Sequence, residues 1–229
     1  MNICIIPARG GSKRIPRKNI KNFRGRPMIS WSIEEAQKSE CFDRIIVSTD
    51  DAEIAQFSES CGVDVPGLRP SYLSGDVVST GEVVAELIRT LHLPSSLDDN
   101  VCCLYATAPF VVSSDIRDSL RLLDQGGCDF VLPVTTYPFP IQRALSVDPR
   151  DDLLSMFDAS KFRTRSQDLE EAVHDAGQFC WGTASAWKSA GNLFDLKVRS
   201  FNLPRWRVQD IDTVEDWEFA ERLHMATYG

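Results

Sequence analysis

Long apolar runs are missing from these 229 residues, and none approaches the roughly 20 consecutive apolar positions of a membrane span. An excess of positive charge is missing too. With 25 Lys and Arg against 33 Asp and Glu, the formal net charge is −8, which argues against a general nucleic-acid or membrane-surface binder. The 7 cysteines are odd in number and contain no Cys-x-x-Cys pair. Most sit in apolar stretches such as Ile3-Cys4-Ile5, so buried free thiols in a reducing compartment are expected, not disulfides or zinc. No secretory leader is recognisable, because the chain passes directly into a strand-like run; a cytoplasmic location is expected. Histidine is scarce, and His92, His174 and His224 offer no obvious general base. Walker A spacing and Gly-x-Gly-x-x-Gly are both absent, which speaks against a P-loop and against NAD binding.

What is present is an alternation of short apolar runs with longer helical patterns, the signature of a wound α/β sheet. Strands are expected over 2–8, 44–49, 101–106, 130–135, 178–181 and 198–203. Helices are expected from Pro27 to about Ser39 and over 52–60, 115–124 and 213–225, with another opened by Ser79 and Glu82. Asp50 with Glu53 reads as the capping box of the helix over 52–60. Residues 138–170 contain Pro138, Pro140 and Pro149 and many charges without clear periodicity. The expected architecture is one α/β/α sandwich domain over 1–229 with a mostly parallel sheet and 138–170 as an irregular insertion.

Residues 9–26 carry Arg9, Lys13, Arg14, Arg17, Lys18, Lys21, Arg24 and Arg26 with no acidic residue among them. On an acidic chain, such an island suits a small, highly charged anion better than a polymer. It also follows the first strand directly, where ligands of open α/β sheets bind. Gly10 and Gly11 allow backbone amides to converge on phosphate oxygens. Arg9, Lys13 and Lys18 can then neutralise a triphosphate, arginine bidentately. The other reading of this loop is a solvated Gly-Gly turn. Near the far end, Asp210 and Asp212 flank Ile211. In an extended segment both carboxylates share a face, and hard oxygen ligands so placed suit Mg²⁺. The same stretch also reads as a helix cap, through Asp212 with Glu215 or Thr213 with Asp216.

Ile6-Pro7-Ala8-Arg9-Gly10-Gly11-Ser12-Lys13, followed by Lys18-Asn19, resembles the signature of the CMP-sialic acid synthetase family of cytidylyltransferases. The resemblance continues through Ile46-Val47-Ser48-Thr49-Asp50-Asp51, Arg69-Pro70 with Asp76, and Ala106-Thr107-Ala108-Pro109. It ends with Arg165-Ser166-Gln167-Asp168 and the run from Gln209 to Asp216, and so spans nearly the whole chain in order. Thr164 to Glu170, with His174-Asp175-Ala176-Gly177-Gln178-Phe179, looks like the pseudaminic acid cytidylyltransferase branch. Sialic acid synthetases usually show Asn-Gly where this chain has Ala176-Gly177.

The resemblance implies a Rossmann-like nucleotide-diphospho-sugar transferase fold. It implies CTP and a nine-carbon acidic sugar as substrates, a CMP-sugar and diphosphate as products, and Mg²⁺ as cofactor. An N-acetylneuraminic acid enzyme and a non-catalytic nucleotide- or sugar-binding module are the alternatives. Ala8, Arg9, Gly10, Gly11, Ser12, Lys13, Lys18, Asn19, Arg69, Asp76 and Thr80 are implied for the nucleotide. Tyr105, Arg165, Gln167 and Gln178 are implied for the sugar, and Asp210 and Asp212 for the metal. Arg9 and Lys18 join the aspartates as the catalytic set. Phe179 and Trp181 are expected to wall the sugar's deoxy C9 methyl, with plain core as their other role. Members commonly dimerise, and 138–170 is the expected contact.

Overall fold

The computed structural model describes residues 1–75, 78–92, 96, 99–189 and 191–229. Asp76 lies outside the described residues. Strand β1 (Asn2–Pro7) buries Cys4 and Ile6 on one face and Ile3 and Ile5 on the other, as a central parallel strand must. Two-residue strands β2 (Asn22–Phe23) and β3 (Arg26–Pro27) follow, then α1 (Met28–Ser39), β4 (Arg44–Ser48), α2 (Ala52–Ser60) and α3 (Thr80–Thr90). Next come β5 (Asn100–Leu104), α4 (Ser113–Asp124), β6 (Phe130–Thr136) and the hairpin β7 (Leu145–Val147) with β8 (Leu154–Met156). The chain ends with β9 (Val173–Asp175), β10 (Phe179–Thr183), α5 (Ala184–Ser189), β11 (Val198–Asn202) and α6 (Val214–Tyr228).

The main sheet runs β11-β6-β10-β5-β1-β4, with β9 also paired to β6. Pairings β1–β4, β1–β5 and β6–β11 are parallel; β10 is antiparallel to both its neighbours, and β9 to β6. Side chains of α1, α2 and α4 cover one face, and those of α3 and α5 the other. The expected mostly parallel sandwich is the one observed. From β1 the chain winds first to β4 on one side and then to β5 on the other. That reversal opens a crevice at the carboxyl ends of β1 and β5, where α/β sheets bind ligands.

Two local readings change. The cap of α2 is Asp51, which accepts the amides of Glu53 and Ile54, and not Asp50. Asp50 turns back and accepts the amide of Gly10 at 2.8 Å. Within 138–170 the expected irregularity resolves into the β7–β8 hairpin and three 3-10 turns. Its three-residue strands are too short to show a period in sequence.

A third, smaller core sets the functional geometry. Ile15 of the basic loop and Ile211 between the two aspartates are both fully buried, packed with Phe23, Met28, Phe110 and Trp217. Burying these two isoleucines together draws the start of the chain onto the segment before α6. Thr213 and Asp216 form the capping box that starts that helix.

Candidate active site between the basic loop and the acidic pair

A cavity of about 320 Å³ lies in the crevice, and Arg9, Ser12, Lys13, Lys18 and Asn19 line it from the loop after β1. Arg69 and Thr80 face it from the opposite side, Tyr105 to Thr107 from the end of β5, and Asp210 and Asp212 close it. The cations and the carboxylates therefore meet. Lys18 Nζ donates to Ile211 O at 2.6 Å and to Asp212 Oδ1 at 3.4 Å. Arg14 of the same island, which carries no site role in the sequence pattern, pairs with Asp212 Oδ2 at 2.9 Å.

The loop is held from behind. Buried Asn19 donates its side-chain amide to Arg9 O at 2.8 Å. Arg17, whose φ of 55° is left-handed, bridges to Asp51 and Glu53. Arg17 thus anchors the loop to α2. Ala8 is fully buried, and its amide donates to Ser48 O. The Gly10 amide is bound to Asp50, so of the two glycines Gly11 is the one left on the open side.

Charge in the cleft is uneven. Burial and the neighbouring Asp212 push the Asp210 carboxyl above its ordinary value, with Lys18 opposing. Burial lowers Arg69, Asp50 opposes that, and Arg9 adds to it; the Arg69 Nε is buried with no hydrogen-bond partner. Two carboxylates that repel one another across one residue, facing an open cavity, form a hard-oxygen donor set that fits a divalent cation. Among the described residues no group of three or more His, Cys, Asp and Glu side chains is gathered for a metal. An ion held by this pair would complete its shell from phosphate and water, as Mg²⁺ does.

A second cavity, of about 770 Å³, shares Thr80 and Tyr105 with the first. Cys103, Leu132, Cys180, Trp187, Leu193 and Phe194 give it apolar surface, and Asp175 and Asn192 give it polar groups. Tyr105 stands at the junction, its phenol pushed up by burial first and then by Cys103, Asp175, Cys180 and Asp210. Asp175 is itself pushed up by burial and by Asp210, while the Gly177 amide that it accepts at 2.8 Å opposes this.

Phe179 and Trp181 do not wall this cavity. Both are buried on the other face of the sheet, where Trp181 stacks on Phe42 and donates to Ile116 O. Strand alternation puts Cys180, between them, on the cavity side. Gln178 is buried, with Nε2 donating to Arg207 O at 2.5 Å and Oε1 unpartnered; it lines neither cavity. Arg165 and Gln167 are exposed at the 3-10 turn Ser166–Asp168, away from both cavities. His174 packs on Tyr137.

The family profile described as Cytidylyltransferase matches residues 3–170. The chain belongs to the cytidylyltransferase family. The pseudaminic acid cytidylyltransferase of Campylobacter jejuni subsp. jejuni serotype O:2 is 43% identical over 227 residues, 99% of this chain and 97% of that one. The N-acylneuraminate cytidylyltransferase of Escherichia coli O18:K1:H7 is 30% identical over 225 residues, 95% of this chain and 51% of that one. Among solved structures, the CMP:2-keto-3-deoxy-manno-octonic acid synthetase complexed with CTP has a TM-score of 0.71 at 17% identity. It covers 99% of this cytidylyltransferase and 98% of that chain, which establishes the shared fold.

Proposed function

We propose that this cytidylyltransferase transfers CMP from CTP to pseudaminic acid and releases diphosphate, with Mg²⁺ held by Asp210 and Asp212. The observation that carries the reading is the meeting of the basic loop and the acidic pair at the first cavity. A second cavity, with both apolar and acidic surface, adjoins it through the shared lining residues Thr80 and Tyr105. The 43% identity to a full-length pseudaminic acid cytidylyltransferase supports this choice of sugar.

The sugar's anomeric hydroxyl is the nucleophile, so no serine or cysteine nucleophile is required. As its oxygen bonds the α-phosphorus, the α–β phosphoanhydride bond breaks to release diphosphate, the hydroxyl proton passes to solvent, and negative charge builds on the bridging and non-bridging oxygens. Arg9, Lys13 and Lys18 offset that charge and hold the triphosphate in line, and Arg69 and Thr80 face the base or ribose. A divalent ion held by Asp210 and Asp212 would supply Lewis-acid stabilisation of that charge. In the second cavity, Leu132, Cys180, Leu193 and Phe194 take the place first given to Phe179 and Trp181 as the wall for the deoxy methyl. Asp175 accepts hydrogen bonds from sugar hydroxyl or amide groups.

The protein works as a cytoplasmic homodimer in this reading. All seven thiols are free, and Cys4, Cys102, Cys103 and Cys180 are buried, as suits a reducing compartment. The insertion exposes Phe139, Leu153, Leu154, Phe157 and Phe162, each between 63% and 79% accessible, an apolar surface of the kind that subunits bury. None of the described helices is long and apolar enough to cross a membrane.

Pyrophosphate release from CTP, measured with pseudaminic acid and with N-acetylneuraminic acid, tests the function. Turnover with the first and at most slow turnover with the second is the expected result. The reverse preference would move the substrate to the sialic acid side, and no release with either would favour a binding module.

A further inference from the structure

Asp115 and Arg207 form the most enclosed side-chain ion pair among the described residues, with side chains only 11% and 14% exposed. Arg207 Nη1 lies 2.5 Å from Asp115 Oδ2, and Nη2 lies 3.4 Å from Oδ1, so the guanidinium meets the carboxylate fork to fork. Enclosing two charges costs desolvation that their attraction only partly offsets, so such a pair is weak evidence of stabilisation. What it does supply is orientation.

Its position shows what is oriented. Asp115 sits in the first turn of α4, and Arg207 ends the 3-10 turn Arg205–Arg207, three residues before Asp210. The backbone of Arg207 is fixed independently, because its carbonyl accepts Gln178 Nε2 at 2.5 Å. Gln178 O in turn accepts the amide of Tyr105, the residue where the two cavities join. A Cβ built on the neighbouring Gly177 would stand 3.9 Å from Asp210 Oδ1, in ordinary van der Waals contact. Residue 207 is thus tied by its side chain to α4 and by its carbonyl to the β9–β10 bend. On the far side, Ile211 is locked by burial, and its carbonyl accepts Lys18 Nζ. Asp210 lies between these two clamps.

We infer that the Asp115–Arg207 pair is a positioning device that fixes the 207–210 segment and so keeps the Asp210 carboxylate facing the first cavity, where it would hold a divalent ion beside the triphosphate. The inference rests on the proposed metal role of Asp210. Neither Asp115 nor Arg207 lines either cavity, so both act through the 207–210 segment. Groups that orient a metal ligand typically contribute about 10- to 100-fold to metal affinity or activity, and here the orienting pair acts through the backbone of 207–210.

The test uses CTP binding without sugar, so that no turnover enters. The CTP Kd is measured by calorimetry in excess Mg²⁺ and again in EDTA, and the ratio of the two is the readout. For the wild-type chain, Mg²⁺ should tighten CTP binding. In Arg207→Met and Asp115→Asn the Kd in EDTA should stay within about threefold of wild type, while the metal-dependent ratio falls by about tenfold or more. Arg207→Lys keeps the charge but loses the fork, and should lie between. If Arg207→Met does not fold, Asp115→Asn and Arg207→Lys decide the matter. A ratio unchanged within twofold in the folded variants, even with a lowered melting temperature, would reduce the pair to a structural contact and overturn the inference. A wild-type ratio near one would instead remove the metal reading of Asp210 itself, which is a separable failure.

Discussion

A Cβ built on Gly10 would lie 2.5 Å from Asp51 Oδ2 and 2.8 Å from Asp51 Cβ. Asp51 has little freedom to retreat, since it caps α2 and holds Arg17. Gly10→Ala should therefore displace the basic loop, at a cost of about 1–3 kcal/mol in stability, and raise the KM for CTP about tenfold or more. A Cβ on Gly11 meets nothing within 4 Å, so Gly11→Ala should leave the melting temperature of the unliganded protein within about 1 °C of wild type. The pair of melting curves and CTP titrations checks both. At Asp210 the expected effects on activity and stability separate. If Asp210 holds the metal as proposed, Asp210→Ala should cost at least about 100-fold in turnover at saturating Mg²⁺, because Lewis-acid stabilisation is worth several kcal/mol. The fold should be unchanged or slightly stabilised, since a carboxyl crowded by burial and by Asp212 is removed. Normal turnover would return this residue to a role beside the helix cap.

At the scale of single elements, α6 carries a pH dependence of its own. His224 is buried among Phe23, Trp31, Phe110 and Tyr228. Burial first, then Arg24 and Arg26, push its pKa down to about 4. The unfolded chain binds a proton here near 6.5, so between those values the unfolded state holds more protons than the folded one. Stability from this group is complete above pH 6.5 and is lost as pH falls towards 4. The predicted loss between pH 7 and pH 5 is about 2 kcal/mol, read from urea midpoints, and His224→Phe should flatten the profile. Asp175 and Asp210, shifted upward, act in the opposite sense, which is why the difference between wild type and variant is the quantity to measure. Elements such as α6 were legible in the sequence because their signals are local. Thr213 with Asp216, and Ser79 with Glu82, cap at a spacing of three, as written. The cap of α2 lies one residue beyond the expected Asp50, because Asp50 and Asp51 are both good caps. Only the return of the chain beside Gly10 gives Asp50 another donor. Which face Phe179, Cys180 and Trp181 present depends on the register of β10 against β5 and β6, and alternation alone does not say which side is the cleft. The Asp115–Arg207 pair spans 92 residues and left no local pattern to read.

For the whole molecule, cations near the start of the chain and carboxylates near its end meet at one cavity, because Ile15 and Ile211 are buried together in the third core. What charge does not specify is where the insertion goes. Phe157, Phe162 and Leu154 are exposed on the described chain and line neither cavity. Left in water they would be an aggregation liability, and in the proposed homodimer a second copy would bury them. Phe157→Ser with Phe162→Ser should shift the species seen by light scattering from a dimer to the 25.7 kDa monomer. The CTP Kd should be kept, because the cleft is built from residues of one chain. Sugar turnover is a different matter. Arg165 and Gln167 lie within the insertion and line neither the first nor the second cavity of their own chain, so a sugar-binding role for them requires that assembly carry them to a partner's second cavity. The monomeric variant should therefore keep CTP affinity within about twofold and lose at least tenfold in kcat/KM for the sugar, a change of about 1.4 kcal/mol or more. Arg165→Ala in the otherwise wild-type chain should reproduce that loss without altering the mass seen by light scattering. A monomer with full sugar turnover would confine the sugar site to one chain and leave Arg165 as an ordinary surface residue.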